Sequence, residues 1–92
     1  MAIEYSRDPS DYRPDPSGHF RRRRREREIP GTAIERCIRG GEATVQSERN
    51  PQRVAFVNDY LNESYTVVVN PRKGFAVTVF AGLPGEKDDT RA

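Results

Sequence analysis

The chain contains one cysteine, one histidine, one methionine and no tryptophan. A lone cysteine excludes an internal disulfide framework, and one cysteine with one histidine leaves structural zinc dependent on an improbable carboxylate-rich set. Apolar residues make up 34% of the sequence, and none of their runs approaches the roughly 20 residues needed to cross a bilayer. The N-terminus lacks the basic-then-apolar order of a signal peptide, so the expectation is a soluble, cytoplasmic protein with no membrane partner. Gly40-Gly41 follows a helical pattern instead of joining a strand to a helix, which excludes a phosphate-cradling glycine loop. Paired carboxylates are missing too, because Asp59 falls at a turn and Asp88 and Asp89 in the tail. Any catalysis is therefore expected to need no metal and no cofactor.

What is present divides the 92 residues into three parts. Residues 1–16, with Pro9, Pro14 and Pro16 among alternating charges, read as a flexible segment, unless Ile3 and Tyr5 dock as a short edge strand. Residues 17–81 read as one α+β domain, and 82–92 as a flexible tail. Within the domain, Ser17 is a candidate N-cap for a helix over 18–28, which Pro30 stops. Ala33, Ile34, Cys37 and Ile38 form an apolar stripe that predicts a second helix from Gly31 or Thr32 to Arg39. Gly40-Gly41 would end it by allowing left-handed backbone geometry.

Beyond the glycines the period changes to two. "ATVQS", "RVAFVN", "YTVVVN" and "FAVTVFAG" read as strands joined by the turns "NDYLNES" and "NPRKG", with Asn58 and Asn70 as turn formers. In the last strand Phe75, Val77 and Val79 would share one face, and Ala76, Thr78 and Phe80 the other. The architecture expected is two N-terminal helices packed on a three- or four-stranded antiparallel sheet, with the far face partly open.

Charge is concentrated between Arg21 and Arg53, where ten arginines stand against Glu26, Glu28, Glu35, Glu42 and Glu48. Such a patch attracts phosphate groups, and without a hydrophobic helix beside it nucleic acid is the better match than an anionic membrane. On the first helix His19, Arg23 and Arg27 recur every four residues and share a face. Cleavage of RNA through its own 2′-hydroxyl needs a proton carrier, which His19 suits, and charge-stabilising donors, which arginine supplies. Thr78 interrupts an apolar strand and could present a hydroxyl to substrate. Tyr65 and Phe80 could stack on bases, while Arg21, Arg22, Arg23, Arg24 and Arg25 could hold the RNA backbone. Each feature has a plainer counterpart: a solvated basic helix face, a locally bonded histidine, a strand-favouring threonine and core aromatics.

The segment "HFRRRRREREIP", followed by "TAIERCIRGG" and three valine-rich strands, resembles the DUF4258 proteins. These are related to the RelE-like toxin fold within the barnase, EndoU, colicin and RelE group of metal-independent ribonucleases. The family's opening pattern is histidine, an arginine four residues later, methionine, then arginine-glycine-isoleucine. It falls on His19, Arg23, Arg24, Arg27, Glu28 and Ile29, with Arg24 in place of the methionine and Glu28 in place of the glycine. The resemblance spans roughly residues 17–81 and implies an endoribonuclease or toxin-like role. With it the leading expectation is that His19 handles a proton, Arg23 and Arg27 hold phosphate and stabilise developing charge, and Thr78, read from its strand alone, positions the substrate or a water. An acidic antitoxin-like protein would be a fitting partner. The competing expectations are a non-catalytic nucleic-acid-binding or toxin-antitoxin accessory protein, and a protein-interaction module that uses an open strand edge or sheet face.

Overall fold

The computed structural model describes residues 3–83, and two helices pack against one face of a mixed sheet. In chain order the elements are β1 (Arg13–Pro14), α1 (His19–Glu26), α2 (Gly31–Gly40), β2 (Glu42–Ser47), β3 (Arg53–Tyr60), β4 (Glu63–Asn70) and β5 (Phe75–Ala81). The sheet order is β1-β5-β4-β3-β2. Four antiparallel strands match the sequence expectation, and the fifth, β1, is parallel to β5 through Arg13↔Phe75 and Pro14↔Ala76.

That fifth strand belongs to the segment expected to be flexible. Ile3 and Tyr12 are buried in the main core. Tyr12 donates its hydroxyl hydrogen to the Ser6 carbonyl at 2.7 Å and accepts from the Ser6 amide at 3.0 Å. Arg7 lays its guanidinium 5.6 Å from the Phe56 ring centre and donates to the Gly41 carbonyl at 2.8 Å, while Tyr5 meets Phe56 edge-on. Ile3 and Tyr5 form no strand; they pack as side chains against the helix-side layer. The expected tail lies, from residue 84 onward, outside the described residues.

α1 is shorter than the expected helix because its two ends are set differently. Gly18, with φ 84°, stands at the N-cap, and Ser17 supplies only a 3.3 Å acceptor for the His19 amide. At the other end Ile29 N–H bonds to the Arg24 carbonyl and Glu28 N–H to the Arg25 carbonyl, while Glu28 is left-handed at φ 52°. This is a Schellman closure, and it turns the chain before Pro30 can act.

α2 follows its apolar stripe, burying Ala33, Cys37 and Ile38 against Val54, Phe56, Val67, Val69 and Val79. Burial pushes the Cys37 thiol up to about 11, and its Sγ lies 3.4 Å from the Tyr65 carbonyl. Gly41, after the helix, is extended (φ −77°, ψ 166°), not left-handed. Its role is spatial: a Cβ there would lie 2.6 Å from the Val57 carbonyl oxygen and also against the Cys37 carbonyl.

Two strand expectations change. The β3–β4 turn is only Leu61-Asn62, both at positive φ (52° and 68°), the geometry that matches strand twist in a two-residue hairpin. Asn58 therefore lies within β3, where its side chain donates to the Arg36 carbonyl of α2 at 2.9 Å. In β5 the register shifts between Thr78↔Val68 and Ala76↔Val69, making Val77 an extra residue. The simple alternation breaks there: Ala76 and Val79 reach the helix-side core, whereas Val77 and Phe80 join Ala55 and Val68 on the other face.

Candidate nucleic-acid interface

Phe20 decides how α1 is presented. It is the buried residue of α1 and packs in the core with Ala76 and Val79. With about 100° per residue, Arg23 and Arg24 lie within about 60° of Phe20, His19 and Arg21 about 100° to either side, and Arg22 and Arg25 nearly opposite. His19 and Arg23 are half-buried and Arg21, Arg22 and Arg25 exposed, as this geometry requires, while Arg24 is exposed although it lies on the Phe20 side. The expected row of His19 and Arg23 therefore runs along the flank of the helix. The outward face is instead the cluster of Arg21, Arg22 and Arg25, related by three- and four-residue spacings.

The remaining arginines have individual placements. Arg24 donates through Nε to the Ile29 carbonyl at 3.2 Å, so its guanidinium helps close the α1–α2 turn. Arg27 is the exposed C-cap, with its amide on the Arg23 carbonyl at 3.0 Å. Arg23, Arg24 and Arg25 occupy the last turn, where cations meet the negative end of the helix dipole. His19 Nδ1 lies 3.4 Å from Arg22 Nη2, a contact within the same helix.

Thr78 is on another side of the molecule. It pairs with Val68, whose side chain belongs to the small cluster on the face away from the helices. Its Oγ1 is buried without a hydrogen-bond partner among the described residues. Among the described residues, two concavities beside α1 have linings that include neither His19, Arg27 nor Thr78. Tyr65 and Phe80 are also divided by the sheet. Tyr65 packs partly against the helix-side core, with its hydroxyl 3.4 Å from a Glu63 carboxylate oxygen, while Phe80 is buried on the opposite face. Desolvation, followed by the neighbouring Glu63, raises the Tyr65 phenol above its ordinary pKa. The two rings thus form no common stacking platform.

No family model, curated protein or solved structure matches the chain. The interface is therefore read from its own residues. Among the described residues no three His, Cys, Asp or Glu side chains gather into a metal-binding group, and no helix is long and apolar enough to span a membrane.

Residues outside the sequence-predicted set complete the surface. Arg36 and Arg39 sit on the exposed side of α2 beside Asn58, and Arg36 Nε donates to the Asp59 carbonyl at 3.2 Å. Between the helices lies a cleft of about 300 Å³ that includes Tyr12, Phe20, Arg24, Ile34 and Glu35. The α2 arginines were visible as charges, but only the Asn58 bridge and the burial of Cys37 and Ile38 show which side of α2 they occupy. Tyr12 gave a weaker signal, as an aromatic set between Pro9 and Pro14 in a polar segment.

Proposed function

We propose that the protein binds RNA through the sugar-phosphate backbone, with the outward face of α1 as its principal contact. The observation that carries this reading is the exposure of Arg22 and Arg25 on the side of α1 away from Phe20, with the exposed Arg21 on the flank beside them. Planar guanidinium groups at those spacings can engage successive phosphate oxygens while remaining hydrated on their other side. Arg23 contributes less because it is half-buried, and Arg24 because its Nε is engaged by the Ile29 carbonyl. The same face would also suit an acidic antitoxin-like protein, which would compete with RNA for these arginines.

The second reading is metal-independent cleavage of the bound RNA. It is favoured by one contact: the His19 imidazole lies beside the Arg22 guanidinium, pairing a proton carrier with a phosphate-binding cation. In this reading His19 accepts the proton of the attacking 2′-hydroxyl as that oxygen bonds to phosphorus, the 5′-oxygen leaves with a proton from solvent, and Arg22 faces the developing phosphate charge. Arg27, the C-cap, lies about 140° round the helix from Arg22 and takes no part. Thr78 has no part at that point because it belongs to the opposite sheet face.

The test is titration of a fluorescent single-stranded RNA at several salt concentrations in EDTA, with the products resolved on a gel. Replacing Arg22 and Arg25 together by Gln should reduce the magnitude of the slope of log affinity against log salt by about 1.4, near 0.7 per lost phosphate contact. A slope unchanged by both substitutions rejects α1 as the phosphate face. Cleavage that disappears in His19→Ala, with affinity retained, would add the catalytic reading; intact RNA throughout leaves binding alone.

A further inference from the structure

Arginines on α1 account for phosphate attraction but leave unused the cleft between α1 and α2. Its walls include Tyr12, Pro14, Phe20 and Ile34, while the exposed Arg24 and Glu35 stand at its rim. The volume of about 300 Å³ lies at the small end of the range for ligand pockets. Tyr12 turns its hydroxyl toward Ser6, so the ring remains as an apolar wall. Arg24 is placed over Gly31, where an added Cβ would come within 3.1 Å of its Nη2. Glycine at that position keeps one side of the cleft low.

A neighbouring depression shares Pro14, Phe20 and Arg24 with the cleft and adds Arg21 and Arg25. The apolar recess is thus continuous with the cationic face. We infer that this cleft receives one unstacked base of single-stranded RNA while the backbone crosses Arg21 and Arg25. The inference rests on the RNA-binding reading and adds where and how a base is held. Charge complementarity selects the occupant, because a polyanion carrying flat, largely apolar groups matches a cation-lined recess better than an uncharged ligand does.

The rim also confers a preference. Glu35 is a hydrogen-bond acceptor, whereas Arg24 offers only donors. Guanine presents an N1–H and an amino group side by side on its Watson–Crick edge, two donors that one carboxylate can accept together. Uracil presents a single N–H between two carbonyl oxygens, so it engages Glu35 with one bond and opposes it with its acceptors. Guanine should therefore bind better than uracil.

The experiment compares fluorescent RNA ten-mers by anisotropy: one with a single guanine in a uracil background, one with uracil throughout, and one abasic at the guanine position. The unmodified protein should bind the guanine oligomer about fivefold to a hundredfold more tightly than the abasic one, the range of one stacked base. Ile34→Trp, which fills the cleft, should bring these two affinities together without changing the salt slope. Glu35→Gln should reduce the guanine-to-uracil ratio while keeping the preference over the abasic strand. Equal affinity of the unmodified protein for guanine and abasic oligomers, with strong salt dependence, overturns the base pocket and leaves backbone binding standing. Failure to bind any oligomer at low salt overturns both readings. Thermal unfolding of each variant checks that its fold is retained, and Ile34→Ala, which enlarges the cleft, provides a second arm if Ile34→Trp unfolds: it should weaken guanine binding more than abasic binding.

Discussion

Glu28 holds the left-handed backbone on which the α1–α2 turn depends, with φ 52° and no glycine to relieve it. Side chains in that region crowd the following carbonyl and cost about 1–2 kcal/mol relative to right-handed geometry. Glu28→Gly should therefore stabilise the protein by about 1 kcal/mol, after allowance for the greater entropy of an unfolded glycine. Glu28→Ala serves as the control for loss of charge and should not reproduce the gain. Urea unfolding of the three proteins measures both effects; equal midpoints for Gly and Ala would remove backbone strain as the cause. Pro30 located the end of α1 near this residue in the sequence, but the left-handed conformation depends on the bonds from Ile29 and Glu28 back to Arg24 and Arg25.

At the scale of elements, the joint between α2 and β2 gives adjacent glycines different tasks. Gly40 is the last residue of α2, and the nearest atom to an added Cβ is Asn58 Nδ2 at 3.9 Å. Gly41 is buried and extended, and its missing Cβ makes room for the Val57 carbonyl at 2.6 Å. Gly40→Ala should be neutral or stabilising by up to about 1 kcal/mol because alanine favours helix. Gly41→Ala should destabilise by about 3 kcal/mol, as backbone must move to admit the methyl group. Urea midpoints of opposite displacement would establish this division, whereas similar losses at both would contradict it. The sequence marked a helix end here, yet it treated both glycines as sources of left-handed backbone. The constraint at Gly41 comes both from the Cys37 carbonyl one turn back in α2 and from Val57 in β3, more than ten residues away in the chain, and local pattern does not contain the second. The same limit explains β5. Alternation correctly made it a strand, but the extra residue Val77 arises from pairing with β4, and it moves Thr78 away from the helix side.

Across the whole molecule, the N-terminal segment shows how a polar, proline-rich stretch becomes part of a small core. Composition suggested that residues 1–16 bury too little to be ordered, since charges and prolines outnumber apolar groups. Ordering is instead supported by a few long-range contacts: Ile3 and Tyr12 enter the main cluster, Arg7 spans Phe56 and Gly41, and β1 joins the edge of β5. None repeats with a period, which is why strand and helix patterns were legible while this docking was not. α2 and the antiparallel strands could be read from apolar spacing, and α1 from its flanking Ser17 and Pro30, but the orientation of α1 required the burial of Phe20 in the core with Ala76 and Val79. The candidate site was correspondingly half legible, as its arginines were conspicuous and its Tyr12 wall was not. Removing residues 1–12 should consequently cost about 3–5 kcal/mol, the scale of deleting one large buried aromatic and its neighbours. In a domain whose total stability is of order 5–15 kcal/mol, that loss should move the urea midpoint far lower and expose Phe56 to solvent. A shortened protein with an unchanged midpoint would make the segment a dispensable attachment. Tyr12→Phe separates packing from bonding: it keeps the ring, loses both hydrogen bonds to Ser6, and should cost only about 1 kcal/mol. A much larger loss from that substitution would mean that the Ser6 bonds, more than the buried ring, fasten the segment to the core.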